Sequence, residues 1–112
     1  MASTKTTTKR RIGIVGYGHL GQFLTQAILN HADMELAFVW NRTKTVFEQE
    51  NLLPKHLILD ELEDCGKTQP DLIVEVAHPI VVKKVKSIGK RHRINLLGAP
   101  LKWGTGTMKE LF

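Results

Sequence analysis

The chain has 112 residues, 42% hydrophobic and 24% charged, with a formal net charge of +5 and a pI near 9.6. This is the size and composition of one soluble domain: no apolar run approaches the roughly 20 residues that span a bilayer, and the single cysteine, Cys65, excludes an intrachain disulfide and points to a reducing, cytoplasmic compartment. The surplus charge lies in Lys5, Lys9, Arg10 and Arg11 and in Lys83, Lys84, Lys86, Lys90, Arg91 and Arg93, with no aromatic residue interleaved to stack a base, so a tail and a solvated helix face are expected rather than a nucleic-acid partner.

In chain order, residues 1–10 are polar and without hydrophobic periodicity, which predicts a disordered basic tail. Ile12, Ile14 and Val15 then read as a short buried strand. Gly16, Gly18 and Gly21 follow at G-x-G-x-x-G spacing. Behind them Leu20, Phe23, Leu24, Ala27 and Ile28 fall at i, i+3, i+4, i+7 and i+8, one face of a helix ending near Asn30 and His31. Between a strand and a helix, such glycines point to a dinucleotide site, the alternative being a βαβ unit whose glycines serve packing alone. Gly16 allows the tight turn, Gly18 the close approach of a pyrophosphate, and Gly21 the contact of helix with strand. The first-turn N–H groups of the helix then face the phosphates.

A second strand is predicted over 35–40 (ELAFVW), with Leu36, Phe38 and Trp40 on one side and Ala37 and Val39 on the other, as for a parallel strand covered on both faces. A short helix over 43–50, a loop ending at Pro54 and a third strand over 57–59 (LIL) come next. Asp60 is placed to cap a helical turn stopping near Gly66, and Cys65, in the polar run EDCGK, reads as a passive surface or half-buried thiol. The fourth strand is 71–76 (DLIVEV). A helix over 80–90 follows, with Pro79 in its first turn and Val81, Val82, Val85 and Ile88 facing inward; 94–97 (INLL) is the fifth strand. After Gly98, Ala99 and Pro100 comes a Gly-rich stretch, and 108–112 looks like the opening of another helix. The alternation specifies an α/β fold over residues 11–112: a Rossmann-type doubly wound parallel sheet of about five strands, incomplete at the C-terminus, with its ligand across the carboxyl ends of the strands.

Twenty residues past Gly21, where NAD-preferring folds carry an acid for the ribose 2′-hydroxyl, stands Asn41, followed by Arg42, Thr43 and Lys44. No carboxylate repels a 2′-phosphate, a guanidinium is at hand to grip one, and Thr43 adds a hydroxyl; the expected cofactor is NADP, with NAD second. At the end of the fourth strand, Glu75-Val76-Ala77-His78-Pro79 passes near the nicotinamide half of such a site. His78 can touch cofactor or substrate, or cap the next helix. Glu75, on an otherwise apolar strand, needs a partner, for which neighbouring backbone suffices.

The segments IGIVGYGHLGQ, FVWNR and PDLIVEVAHP resemble the N-terminal half of the animal aspartate dehydrogenase domain-containing proteins, from Arg11 to about Pro100. The resemblance implies a Rossmann domain joined to a second α/β domain, and NAD(P)-dependent oxidation of L-aspartate to iminoaspartate with release of ammonia. It implies that Gly16, Tyr17, Gly18, His19, Leu20 and Gly21 line the pyrophosphate. Asn41 and Arg42 would meet the adenosine ribose or its phosphate, and Ala77 and His78 the nicotinamide end. Ala99 departs from a Gly-Ser-Pro stretch of the family, and the substrate domain with its proposed catalytic histidine is not in the chain that ends at Phe112. No catalytic residue and no metal site is therefore expected here. The expected partners are NAD(P), a small amino acid where a second domain is supplied, and a further copy of the chain in a homo-oligomer, with no nucleic acid and no membrane. A non-catalytic NADP-binding module and the cofactor half of a homoserine dehydrogenase-like enzyme are the competing readings.

Overall fold

The computed structural model describes residues 9–77 and 81–98. Four strands, β1 (Arg10–Val15), β2 (Met34–Trp40), β3 (Leu72–Glu75) and β4 (Asn95–Gly98), form one parallel sheet in the order β2-β1-β3-β4. Helix α1 (His19–Leu29) joins β1 to β2, and α2 (Val82–His92) joins β3 to β4. The chain leaves β1 toward one edge and returns to the other side of it, so the switch point lies between β1 and β3 at their carboxyl ends.

Apolar side chains cover both faces of the sheet. Ile12, Ile14 and Val74 meet Leu24 and Ile28 of α1 on one face. On the other, Val15, Phe38 and Ile73 meet Val85 and Ile88 of α2, with Leu62 and Cys65 from the segment between β2 and β3. This two-sided burial is why the strands lack a clean polar alternation.

Several expectations are corrected. Arg10 and Arg11 belong to β1 rather than to a tail. The Arg10 N–H donates to the Asp33 carbonyl at 3.1 Å, and the Arg11 guanidinium pairs with Glu35 and donates to the Thr68 carbonyl at 2.8 Å. The third strand, 57–59, contracts to one bridge, Ile58 to Val39, closed by the Leu59 N–H on the Val39 carbonyl at 2.8 Å. A 3-10 turn at Lys55–Leu57 and a second 3-10 run at Leu62–Thr68 leave no length for a ladder. The latter begins after Glu61 rather than Asp60 and has no side-chain cap. The helix over 43–50 is a 3-10 turn, Lys44–Phe47, where two threonines and a valine (Thr43, Thr45, Val46) disfavour a longer helix.

In β2 a bulge pairs Ile12 with Leu36 but Gly13 with Phe38, so Ala37 is the extra residue. Leu36 therefore packs on the α1 face while Phe38 and Trp40 turn to the α2 face, in place of the single expected row. Phe23 lies off the buried stripe of α1, 67% exposed, and Cys65 is fully buried. Val82 is half-buried, while Val81, Val85 and Ile88 face inward as expected. Residues 1–8 of the predicted tail, His78, Pro79, Ile80, Ala99, Pro100 and the predicted helix opening at 108–112 lie outside the described residues.

Candidate nucleotide-binding crevice

The loop between β1 and α1 is shaped by its glycines. Gly16 has φ +114°, a conformation L side chains rarely adopt, and a Cβ there would lie 2.9 Å from the Val76 carbonyl carbon and the Ala77 nitrogen. A Cβ on Gly21 would overlap the Gly16 carbonyl oxygen. The first glycine thus makes the turn, and the third brings helix to strand. Gly18 differs: its backbone is extended, with φ −76°, and among the described residues nothing beyond its own chain neighbours lies within 4 Å of the position a Cβ would take. The space beside it is open. Gly18 is the N-cap of α1, whose first-turn N–H groups have no intrahelical acceptor and present the positive end of the helix dipole to that space.

Gly16, Tyr17, Gly18, Asn41, Arg42, Thr43 and Ala77 together line a crevice of about 250 Å³ at the carboxyl ends of the strands, with Val76 and Val81 completing its wall. Of the remaining predicted site residues, His19, Leu20 and Gly21 form the first turn of α1 just behind it, and His78 lies outside the described residues. Val76 and Val81 carry no polar signal, so the sequence did not single them out as wall residues.

Asn41 acts as a strut. Its Oδ1 accepts the Tyr17 N–H at 2.8 Å and its Nδ2 donates to the Thr43 carbonyl at 2.8 Å, tying the glycine loop to the loop after β2. The Lys44 ammonium sits 4.6 Å over the Trp40 ring and donates to the Asn41 carbonyl at 2.8 Å; burial lowers its pKa, opposed by the charges of Asp60 and Glu61. Arg42 and Thr43 are exposed at the crevice, and among the described residues Arg42 has no carboxylate partner. Among the described residues it is the free cation of the site.

The Tyr17 side chain turns inward, 2% exposed, stacking on Phe47 with ring centroids 5.0 Å apart, and its hydroxyl donates to Glu50. Burial, reinforced by that hydrogen bond and by the charge of Glu50, pushes the phenol pKa far above its ordinary value. The Glu50 carboxyl is held below its ordinary value chiefly by the phenol, with the Leu52 and Leu53 N–H groups adding at 2.6 and 3.0 Å against the cost of burial. Across the crevice, Glu75 is 5% exposed, and its Oε2 accepts the Ala77 N–H at 2.7 Å, the backbone partner expected for it. Burial raises its pKa. Among the described residues no His, Cys, Asp and Glu group could hold a metal ion, and no helix is long and apolar enough to cross a membrane.

The residues fit a dinucleotide: a cradle without a Cβ, a helix N-terminus for a pyrophosphate, and a free guanidinium a few residues past the end of β2. A family model described as homoserine dehydrogenase, NAD binding domain, matches residues 16–88. The chain is 41% identical over 103 residues to an aspartate dehydrogenase domain-containing protein of Danio rerio, a match covering 89% of this chain and 37% of that protein. To the protein of the same description in Xenopus tropicalis it is 46% identical over 80 residues, 68% of this chain and 27% of that one. The chain thus spans little more than a third of the first relative's length. Among solved structures, a UDP-N-acetylglucosamine 3-dehydrogenase from Acidithiobacillus ferrooxidans superposes with a TM-score of 0.61 at 20% identity, over 79% of this chain and 28% of that one, a likeness of fold.

Proposed function

The chain belongs to the NAD-binding domain family of the homoserine dehydrogenases, and from that premise we propose that it is the cofactor half of an L-aspartate dehydrogenase-type oxidoreductase that takes NADP in preference to NAD. The observation that carries the reading is the pairing of the open cradle at Gly18 with Arg42, an unpaired cation at the same crevice. The N–H groups at the start of α1 would hold the pyrophosphate, and the Arg42 guanidinium with the Thr43 hydroxyl would hold the 2′-phosphate of the adenosine ribose. Asn41 would act one step back, by keeping the Tyr17 backbone and the Arg42-Thr43 loop at a fixed separation. Val76, Ala77 and Val81 would form the wall along the nicotinamide ribose. The nicotinamide, when bound, supplies the hydride acceptor for the α-carbon of the amino acid.

The choice of L-aspartate as substrate rests on likeness to the aspartate dehydrogenase domain-containing proteins. A buried, unpaired Cys65 suits a cytoplasmic setting. Calorimetric titration tests the cofactor half: NADP⁺ should bind more tightly than NAD⁺, and Arg42→Ala should weaken NADP⁺ by about 10- to 100-fold while leaving NAD⁺ within about twofold. Equal affinities in the parent chain would refute the preference. In a protein of the relatives' length, aspartate-dependent reduction of NADP⁺ tests the substrate; reduction driven by homoserine and not by aspartate would assign the chain to the competing enzyme.

A further inference from the structure

Glu75 is a buried carboxylate at the end of a strand whose other side chains are apolar, and among the described residues it has no cationic partner. Such a group is costly to bury. It is not a wall residue of the crevice, which argues against direct contact with a bound nucleotide. Among the described residues its side chain accepts one hydrogen bond, from the Ala77 N–H to Oε2 at 2.7 Å.

That bond acts on the crevice. The β1–β3 ladder ends at the Val15–Glu75 pair. Beyond it the Val76 N–H donates to the Val15 carbonyl at 2.8 Å, and among the described residues Glu75 supplies the acceptor for the Ala77 N–H. Val76 and Ala77 are the wall against which Gly16 packs so closely that no Cβ fits between them, and the Val76 methyl Cγ2 lies 3.5 Å from where a Cβ on Gly21 would be. One peptide unit therefore both packs on the turn at Gly16 and belongs to the crevice that Arg42 also lines.

We infer that Glu75 is a positioning residue for the nucleotide site: its carboxylate holds the Ala77 N–H, and through it the Val76-Ala77 wall against the glycine loop, in the geometry that accepts the cofactor. The inference rests on the nucleotide reading of the crevice. The acceptor oxygen, rather than the charge, is the required feature, so glutamine can replace glutamate and a side chain of equal reach without an acceptor cannot.

The test compares the parent chain with Glu75→Met and Glu75→Gln by NADPH titration and thermal melting at pH 7. The methionine variant should melt close to the parent temperature, because relief of a desolvated carboxylate offsets loss of the acceptor for the Ala77 N–H, yet bind NADPH about tenfold more weakly. The glutamine variant should restore affinity to within about twofold of the parent. A residue that merely supported the fold would move the melting temperature and leave the affinity alone. Methionine and parent binding equally overturns the inference, as does equal loss in methionine and glutamine. A parent chain that binds neither NADPH nor NADH overturns the nucleotide reading together with it, so the two failures are distinct. Should the methionine variant not fold, hydrogen exchange at Ala77 in the parent decides. Saturating NADPH should slow it at least tenfold, and exchange unchanged by the nucleotide overturns the inference.

Discussion

An alanine at Gly18 and an alanine at Gly21, three residues apart in one motif, meet opposite surroundings. At Gly18 the backbone is extended and nothing among the described residues beyond its chain neighbours stands within 4 Å of a Cβ, so an alanine should fit the folded chain with its methyl facing what enters the crevice. Gly18→Ala should leave stability within about 0.5 kcal/mol of the parent, measured by urea unfolding, while NADP⁺ affinity falls by an order of magnitude or more. At Gly21 a methyl would run into the Gly16 carbonyl, and Gly21→Ala should destabilise the chain by about 3 kcal/mol or more. The turn at Gly16 and the close contact at Gly21 were legible in the sequence because they follow from local backbone geometry between a strand and a helix. The hydrogen bond between Tyr17 and Glu50 was not, since 33 residues separate the pair and nothing in either neighbourhood announces the other.

That same pair gives a pH dependence with a definite sign. Glu50 has a lowered pKa in the fold, so its contribution to stability is complete above its ordinary value of 4.5 and is lost as pH falls through the folded value. Tyr17 has a raised pKa, so its contribution is complete below its ordinary value of 10.0 and is lost as pH rises above it. Glu75 runs the other way in acid, its raised pKa favouring the fold when protonated, but it is common to both chains when the parent is compared with Tyr17→Phe. The phenylalanine variant should be less stable at pH 7 by about 1–2 kcal/mol, one hydrogen bond to a charged group. The deficit should shrink below pH 4.5 and again above pH 10. A deficit constant across pH would show that the phenol and carboxylate do not act as a pair.

At the level of elements, the two-sided hydrophobic pattern identified the strands, and the helical period identified α1 and α2. The exceptions have a common cause: short segments are decided by what they pack against. Residues 57–59 look like a strand, but the 3-10 turns on either side limit them to one bridge. The β2 bulge was hidden because a run with apolar residues on both sides reads the same in either register. Its driving contact is visible in space: the Phe38 ring fills the volume that a side chain on its partner Gly13 would take. Gly13→Ala should therefore cost about 1–3 kcal/mol as the ring is forced from its place. Pairing it with Phe38→Leu should recover part of that loss, giving a coupling energy well outside additivity in a double-mutant cycle. Additive losses would separate the bulge from the ring.

For the whole molecule, the net charge of +5 is distributed unevenly in its consequences. On α2, Lys84 and Arg91 are paired with Glu63, at 3.6 and 3.1 Å, and Arg11 is tied into the start of the sheet. Lys44 is held on Trp40, so at the crevice Arg42 is left as the unpaired charge among the described residues. A dinucleotide laid across this edge would bridge β1, α1, β2 and β3 beyond the end of the sheet ladders. Ligand that binds only the folded chain should then stabilise it by about 2.7 kcal/mol at a hundred times its Kd, raising the melting temperature of a chain this size by about 10 °C or more. NADP⁺ should give the larger shift at a fixed concentration. Its advantage over NAD⁺ should shrink as salt is raised toward 1 M, where screening reaches within about 3 Å of an exposed guanidinium. If the advantage survived 1 M salt unchanged, discrimination would have to come from shape or hydrogen bonding at Asn41 and Thr43 rather than from the charge of Arg42.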